Sequence, residues 1–225
     1  STWLIVTGEF GCMKILKVIS LALPEVKVIH YKRFRDDRGY FTEAFNKVEF
    51  ESNTELSFLK DAQFVQVNES YSKKNTVRGL HFQWSPYQGK LIRTVFGHMT
   101  DLIMDIRKGS PTYGKMVAYD LPADQGREYG ELIWIPIGFA HGGYYPEETQ
   151  IEYLCTSNWS PQTEAGISPL ASDIDWSLCD ANLKAKFDEI VKNGLLISDK
   201  DKGGFTLEQW SQNPNADQFM YEGAI

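Results

Sequence analysis

Short runs of alternating hydrophobic and polar residues fill the chain from Lys14 to about Trp176. The runs are rich in β-branched and aromatic residues, and clusters of Gly, Pro, Asn or Asp separate many of them, as in VKVIHYKRF, FVQVNESYS, VRGLHFQW and DLIMDIR. No helical periodicity intervenes between these predicted strands. This pattern is typical of a β-sandwich or of a double-sheet barrel such as a jelly roll. We therefore predict one mainly β domain over residues 14–178.

A helical pattern replaces this alternation near the C-terminus. In DANLKAKFDEIVKNG four apolar residues share one predicted helical face: Leu183, Phe187, Ile190 and Val191. Asp180 is suited to cap the start of this helix, and Gly194 is suited to end it. Thr206 and Gln209 have the spacing of a capping box, which predicts a second short helix. We expect residues 179–225 to form short helices packed on the barrel.

Composition indicates an ordinary globular protein. Hydrophobic residues make up 42% of the chain and charged residues 24%, and the formal net charge of −7 argues against a surface that coats nucleic acid. Three widely separated cysteines without metal-binding spacing favour free thiols in a reducing compartment. No apolar run has the length of a membrane span, and the first residues lack the pattern of a signal peptide. We expect a cytoplasmic protein with no membrane partner, in which residues 1–13 are an N-terminal extension.

The segment VRGLHFQWSPYQGKLIR places charged and polar residues within two predicted strands. In a regular strand His81 and Gln83 share one face, and Arg78 lies on the other face with two apolar residues. Alternation alone therefore leaves His81 and Gln83 either on a solvent face or in a pocket. A bulge at Gly79 would bring Arg78 and His81 to one site, and glycine is the residue type that permits such a bulge.

The four histidines do not match the usual spacing of metal ligands. Gln83 stands where a second histidine would follow His81, and the ammonium of Lys90 has no lone pair to donate to a metal. A metal site would need His98 as a ligand. A histidine, a lysine, a tyrosine and an arginine are instead the groups needed to abstract a proton next to a ketone in a phosphate-bearing substrate. We expect no metal.

Several ordered motifs resemble those of the dTDP-4-dehydrorhamnose 3,5-epimerase family. They are FRDDRGYFTEAFN, RGLHFQ, GKLIRTVFG, DIRKGSPTYGK, IPIGFAHG and YLCTSNWSP. The resemblance covers residues from about 18 to 176, and LISDKD follows after an insertion. It implies a cupin-type jelly-roll homodimer that acts, without a metal or redox cofactor, on a nucleotide-linked 4-keto-6-deoxy sugar. Inversion at C3 and C5 would proceed through an enolate of the C4 ketone.

The resemblance implies four catalytic residues. The base is the histidine of RGLH, His81, and the carboxylate that orients it is Asp201 in SDKD. Lys90 would stand next to the developing enolate, and Tyr153 in the YLC block would return a proton to the opposite face. For Asp201 the alternative is an ordinary surface turn.

The resemblance also implies a set of substrate-binding residues: Arg38, Phe41, Glu43, Gln66, Asn68, Arg78, His141 and Trp159. Arg78 matches the arginine that binds the diphosphate, and the glutamine and asparagine of QVN match polar positions of the pocket. Arg38, Phe41 and Glu43 match positions that reach the nucleotide largely from the partner subunit. A homodimer is therefore expected in which the N-terminal strand completes the partner's site, although Phe41 is equally suited to a core.

One histidine of the pocket wall needs a partner. His141 in GFAHG matches a wall position, and Asp105 is a candidate to orient its ring. The alternative for Asp105 is a salt bridge with a neighbouring basic residue, either Arg107 or Lys108.

The chain departs from the family pattern at several positions around these residues. Trp159 replaces a tyrosine that helps to hold the nucleotide, and Glu69 stands at a common histidine position. Ile137 replaces a glutamate, and Gly143 replaces a bulky aromatic residue. These departures leave the exact sugar open, and also whether C3, C5 or both are inverted.

Three alternatives follow from these open points. The first is an enzyme on the same scaffold that inverts only C3 or acts on a different nucleotide sugar. The second is a non-catalytic cupin that binds a sugar nucleotide, and the third is a metal-dependent cupin oxygenase.

Overall fold

The computed structural model describes residues 13–221. Within this range the chain forms thirteen β-strands, numbered in chain order: β1 Ile15–Ser20, β2 Lys27–Lys32, β3 Phe34–Asp36, β4 Gly39–Phe41, β5 Gln66–Ser72, β6 Thr76–Gln83, β7 Lys90–Phe96, β8 His98–Asp105, β9 Met116–Pro122, β10 Tyr129–Ile135, β11 Phe139–Tyr145, β12 Thr149–Cys155 and β13 Glu164–Gly166. The α-helices in the same range are α1 Lys47–Ser52, α2 Ala181–Lys192, α3 Asp199–Lys202 and α4 Leu207–Ser211. Two 3₁₀ helices span Thr54–Leu59 and Pro214–Gln218.

Two antiparallel sheets form the body of the fold. One has six strands in the order β1-β2-β10-β7-β12-β5, and the other has five in the order β13-β6-β11-β8-β9. Strands β3 and β4 form a separate two-stranded hairpin. The predicted double-sheet jelly roll is therefore confirmed, because the alternating runs of the sequence supply an inward and an outward face to each strand.

The core between the sheets is built from inward-facing aliphatic and aromatic side chains of both sheets: Val28, Ile92, Met99, Ile103, Val117, Ile133, Tyr145 and Ile151. A second cluster lies on the outer face of the six-stranded sheet, where Phe50, Leu56 and Leu59 cover Leu91 and Trp134. Met13 is buried in this second cluster, whereas residues 1–12 of the predicted N-terminal extension lie outside the described range.

The C-terminal helices pack on the outer face of the five-stranded sheet. Phe187 of α2 and Trp210 of α4 belong to the same buried cluster as Leu80 and Phe82 of β6. The predicted caps are present, since Asp180 accepts hydrogen bonds from two backbone N–H groups at the start of α2 and a capping box opens α4. These contacts join the end of the chain to the strand that carries RGLH.

The pairing of β6 with β11 is irregular at Gly79, as the sequence predicted. His141 pairs with His81, and Gly143 pairs with Arg78, so one extra residue of β6 is accommodated between the two pairs. Gly79 has φ +101°, and a Cβ there would lie 2.6 Å from the Cα of Gly142. Only glycine fits at this point, where the two backbones approach closely.

Candidate active site

The bulge brings Arg78 and His81 to one cavity between the two sheets. The cavity has a volume of about 150 Å³, and its lining includes Arg78, His81, Lys90, His141, Tyr145 and Tyr153. These side chains come from four strands, two in each sheet. The break in regular pairing therefore brings Arg78 and His81 to the lining of one cavity, and His81 lies in a pocket and not on a solvent face.

His81 is held by a carboxylate from the C-terminal part of the chain. Its Nε2 lies 2.6 Å from Oδ1 of Asp201, and the backbone N–H of Gly79 donates to Oδ2 of the same carboxylate at 3.2 Å. Asp201 is 8% exposed, so it is not an ordinary surface turn residue. With Nε2 bound to Asp201, the Nδ1 nitrogen of His81 is left as the atom able to accept a proton.

The short helix α3 fixes the position of Asp201. Ser198 caps the helix and accepts a hydrogen bond from the backbone N–H of Asp201 at 3.1 Å. Burial alone would raise the pKa of Asp201, but hydrogen bonds from His81, Gly79 and Ser198 outweigh it and lower the pKa. Asp201 is thereby kept ionised next to the imidazole.

The second histidine of the cavity has a different partner from the one expected. Nε2 of His141 lies 2.7 Å from Oδ1 of the fully buried Asp101, at angles outside hydrogen-bond geometry. Burial raises the pKa of Asp101, and the charge of His141 acts in the opposite direction. The expectation that Asp105 orients His141 is wrong, because Asp105 binds Arg107 through two carboxylate–guanidinium hydrogen bonds of 2.9 and 2.8 Å.

Lys90 and Tyr153 line the same cavity, Lys90 with an amino group and Tyr153 with a phenol. Burial lowers the pKa of Lys90, while Cys155, Glu164 and Asp101 act in the opposite direction. Burial raises the pKa of Tyr153, which keeps its phenol protonated at neutral pH. The cavity therefore contains an imidazole nitrogen, an amino group and a phenol.

A wider cleft of about 470 Å³ adjoins the cavity and shares His81, Lys90 and Tyr153 with it. The cleft also contains the three predicted binding residues Gln66, Asn68 and Trp159. The side chain of Gln66 donates to Oδ1 of Asn68 at 2.9 Å and accepts from the backbone N–H of Trp159 at 3.0 Å. Trp159 is 57% exposed, so its ring is free to stack on a planar ligand.

Gln83 is a buried residue with a structural role, which the alternation of the sequence did not predict. It is 3% exposed, and its amide donates to the carbonyl groups of Pro86 and Asn158 at 2.9 and 3.0 Å. Its carbonyl accepts from the backbone N–H of Ser160 at 2.8 Å. Gln83 therefore anchors the loop that carries Trp159, and the solvent-facing alternative for it is wrong.

Three predicted binding residues lie away from the cavities around His81. Arg38 bonds to Asp36 within the β3–β4 hairpin, and Phe41 of the same hairpin is 57% exposed, which excludes a core position for it in the single chain. Glu43 accepts hydrogen bonds from the backbone N–H of Met13 and from the amide of Asn46 at 2.7 and 2.9 Å. None of the three contacts the His81 cavity of its own chain.

The remaining histidines lie outside this cavity. His98 binds Asp120 on the neighbouring strand at 2.6 Å, and His30 lies 3.0 Å from Glu131. Among residues 13–221 no group of three or more histidine, cysteine or carboxylate residues is arranged to hold a metal ion. The helices in the same range are all too short or too polar to cross a membrane.

Sequence comparison decides the family of the chain. The profile of the family described as dTDP-4-dehydrorhamnose 3,5-epimerase matches residues 20–209. The chain belongs to this family. Membership in the dTDP-4-dehydrorhamnose 3,5-epimerase family makes the protein an epimerase, an enzyme of the isomerase class.

Two members of the family match this chain over almost their whole length. A dTDP-4-dehydrorhamnose 3,5-epimerase from Shigella flexneri is 39% identical over 193 residues, which cover 84% of this chain and 94% of the relative. One from Pseudomonas aeruginosa is 37% identical over 189 residues, covering 83% and 98%. The fold resembles that of a dTDP-6-deoxy-D-glucose-3,5-epimerase from Legionella pneumophila, solved with dTDP-4-keto-L-rhamnose, with a TM-score of 0.74, 31% identity, and coverage of 92% of this chain and 99% of that one.

Ser70, Tyr145 and Ile151 also line the cavity, and Asp101 lies behind it next to His141; none of the four was predicted from the sequence. The sequence does contain a pattern that indicates a buried position for Asp101, since this residue lies on the same inward face of β8 as Met99 and Ile103. A carboxylate on a buried strand face needs a partner, and this requirement marks it as a candidate.

Proposed function

We propose that this protein inverts C3 and C5 of a dTDP-linked 4-keto-6-deoxy sugar, in the biosynthesis of rhamnose or a related deoxysugar. The observation that carries the proposal is the pairing of His81 with Asp201 in a cavity that also contains Lys90 and Tyr153. Both reacting carbons flank the C4 ketone, so the same base and the same enolate chemistry serve each centre.

In the proposed reaction a proton is removed from one face of the sugar and a proton is returned to the opposite face. Nδ1 of His81 removes the proton, and the adjacent Asp201 carboxylate stabilises the imidazolium that forms. The ammonium of Lys90 stabilises the negative charge on O4 of the enolate, in a buried site where that charge is poorly hydrated. Tyr153, kept protonated by burial, donates its proton to the opposite face of the enolate carbon.

The remaining polar groups bind the substrate. Arg78 binds the diphosphate, and His141 forms a wall beside the sugar; both line the cavity. In the adjoining cleft Gln66 and Asn68 offer hydrogen bonds to the nucleotide, and Trp159 offers a stacking surface.

In this proposal the active form of the protein is a homodimer. Arg38, Phe41 and Glu43 contribute to the nucleotide site of the partner subunit and not to that of their own chain. The exposed Phe41 and Tyr40 of the hairpin, at 57% and 37%, support a surface that another protein covers. The cysteines at 155 and 179 are unpaired, which fits the reducing cytoplasm as the proposed location.

The substitution His81→Asn separates this function from simple binding of a sugar nucleotide. We expect the variant to bind dTDP as the unaltered protein does but to lose turnover of dTDP-4-keto-6-deoxyglucose. Calorimetric titration with dTDP and NMR detection of the product make the comparison. If both proteins bind dTDP but neither converts dTDP-4-keto-6-deoxyglucose, the protein only binds the sugar nucleotide and the proposed reaction is wrong.

A further inference from the structure

Trp159, the exposed aromatic residue of the wide cleft, lies on a loop without helix or strand structure. The loop comprises residues 156–163 and connects β12 to β13. More than half of the Trp159 side chain is exposed, so the direction of its ring depends mainly on the backbone of the loop. The cleft that it lines also contains His81, Lys90 and Tyr153. A ligand that stacked on a ring carried by a mobile loop would have to order that loop on binding.

Gln83 holds the residues on either side of Trp159. Its amide nitrogen donates to the carbonyl oxygen of Asn158 at 3.0 Å, and its amide oxygen accepts from the backbone N–H of Ser160 at 2.8 Å. The same nitrogen donates to the carbonyl oxygen of Pro86 at 2.9 Å. Because donors and acceptor all have partners, the side chain has a single orientation, in which it fixes both neighbours of the tryptophan.

A second glutamine holds the residue between these neighbours. The side-chain carbonyl of Gln66 accepts from the backbone N–H of Trp159 at 3.0 Å, and its amide nitrogen donates to Oδ1 of Asn68 at 2.9 Å. Gln66 begins β5 of the six-stranded sheet, whereas Gln83 ends β6 of the five-stranded sheet. The backbone around Trp159 is thus tied to both sheets, at three consecutive residues.

The strand that carries Gln83 also carries the proposed base. Strand β13 pairs with β6 in regular register, with Gly166 opposite His81 and Glu164 opposite Gln83. His81 and Gln83 therefore lie on the same face of β6. His81 lines the cleft, and Gln83 is buried against the loop of Trp159. One strand thereby sets the position of the exposed ring relative to the imidazole.

We propose that Gln83 is a positioning residue that holds Trp159 in place, before the ligand binds, as the surface on which the base of the nucleotide stacks. This inference rests on the proposed function for the identity of the ligand. Gln83 acts through the backbone of the loop, so its loss weakens the contact to the base and leaves the diphosphate contact and the proton-transfer groups in place. A ring that is held in advance removes the cost of ordering the loop from ligand binding.

The test measures the affinity for dTDP and for inorganic pyrophosphate, which lacks a base, in Gln83→Met. Methionine is unbranched like glutamine but cannot make the hydrogen bonds to residues 158 and 160. We expect the variant to bind dTDP about fivefold to tenfold more weakly and pyrophosphate unchanged, since a loosened ring loses part of its stacking contact. The steady-state KM should rise by a similar factor with kcat unchanged.

A double-variant cycle with Trp159→Ala separates positioning from general damage. If Gln83 acts through the ring, the double variant should bind dTDP no more weakly than Trp159→Ala alone. Losses that add would show that Gln83 affects the ligand by another route, and would overturn the proposal. Equal weakening of dTDP and pyrophosphate in Gln83→Met would overturn it too, as would unchanged dTDP affinity.

Thr163→Val is the matched control in the same loop. It removes a hydroxyl that donates to Oγ of Ser160 at 2.8 Å, and it leaves the glutamine bonds to the backbone of residues 158–160 intact. This variant should bind dTDP as the unaltered protein does. A loss of affinity equal to that of Gln83→Met would mean that any loosening of the loop has the same effect, and the specific role of Gln83 would be wrong.

The unaltered protein allows a measurement that needs no variant. The backbone amide protons of Trp159 and Ser160 are both bonded to glutamine side chains. Without ligand they should exchange with solvent about tenfold or more slowly than in an unstructured peptide, as measured by NMR. Rapid exchange of both protons that slows only when dTDP is added would show that the ligand orders the loop. That result would overturn the proposal even if Gln83→Met failed to fold.

These measurements need no turnover, so the two proposals fail separately. If binding and exchange are as predicted but the unaltered protein epimerises no sugar, the positioning role stands and the proposed function fails. If the sugar is epimerised but Gln83→Met binds dTDP normally, the function stands and the role of Gln83 fails.

Discussion

Nε2 of His81 lies 2.6 Å from Oδ1 of Asp201, a residue 120 positions later in the chain. The contact depends on α3, whose capped first turn presents Asp201, and on Gly79, whose N–H holds the second carboxylate oxygen. The base of the proposed reaction and its carboxylate partner therefore come from β6, the strand that carries RGLH, and from the C-terminal segment. Predictions about either part can be tested independently.

Replacing Asp201 by asparagine should reduce kcat by about 100-fold or more, with a small change in KM, because Asn cannot stabilise the imidazolium. Asp199→Asn is the control, since it removes a carboxylate from the same helix at an exposed position. Steady-state kinetics of both variants make the comparison. A similar loss of kcat in the two variants would mean that α3, and not the Asp201 carboxylate, is what matters.

Gly79→Ala should destabilise the fold and abolish activity. Its Cβ would meet the Cα of Gly142 at 2.6 Å and the carbonyl oxygen of His141 at 2.7 Å. Gly39 also has a positive φ, +133°, but a Cβ there meets nothing within 4 Å. Urea unfolding should show a loss of about 1–2 kcal/mol for Gly39→Ala, from backbone strain alone, and a larger loss for Gly79→Ala. Equal losses would contradict the close approach of β6 and β11.

The fold and the pocket could be predicted from the sequence to different extents. Alternation is a local property of each strand, so the runs between Lys14 and Trp176 were sufficient to predict two packed sheets. The same alternation could not decide the environment of His81, because both faces of a strand in this fold carry buried residues. The resemblance of the ordered motifs to the family favoured a pocket position for His81, and Gly79 indicated where regular pairing could fail.

The partner of His141 could not be predicted, because strand register depends on contacts between distant parts of the chain. His141 pairs with Ile103, so Asp101 and Asp105 lie equally far along β8 on its inward face. Asp105 is taken by Arg107 and by hydroxyl groups of the following turn, which leaves Asp101 for the histidine. Local sequence shows both carboxylates but not which one is already paired.

His30 should make the stability depend on pH. Burial lowers its pKa, and Lys17 and Arg127 act in the same direction, whereas Glu131 acts in the opposite one. The unfolded chain then binds a proton at this histidine more readily than the folded protein does, below about pH 6.5. The free energy of unfolding should fall as the pH falls through 6.5 towards the lower folded-state pKa.

Urea unfolding of the unaltered protein and of His30→Gln, between about pH 7.5 and 5.5, tests this dependence. The variant should lose less stability over that range, since glutamine has no proton to bind. Equal slopes in the two proteins would show that other groups cause the pH dependence.

The role of Arg38 in the partner's site predicts complementation between two inactive variants. Arg38→Ala and His81→Asn should each be nearly inactive as purified homodimers. Mixing and subunit exchange should restore about a quarter of the normal activity, because half of the dimers are mixed and each has one intact site. No recovery, with exchange verified by mass spectrometry, would mean that Arg38 acts within its own chain or not at all.

The central claim is that one base, His81, removes protons from both carbons next to the C4 ketone. The most direct measurement is to incubate the protein with dTDP-4-keto-6-deoxyglucose in deuterated water and to follow C3 and C5 by NMR. We predict that deuterium enters at both carbons with the unaltered protein and at neither with His81→Asn. Exchange at C3 alone would restrict the activity to that centre, and absence of exchange at both carbons with the unaltered protein would contradict the account.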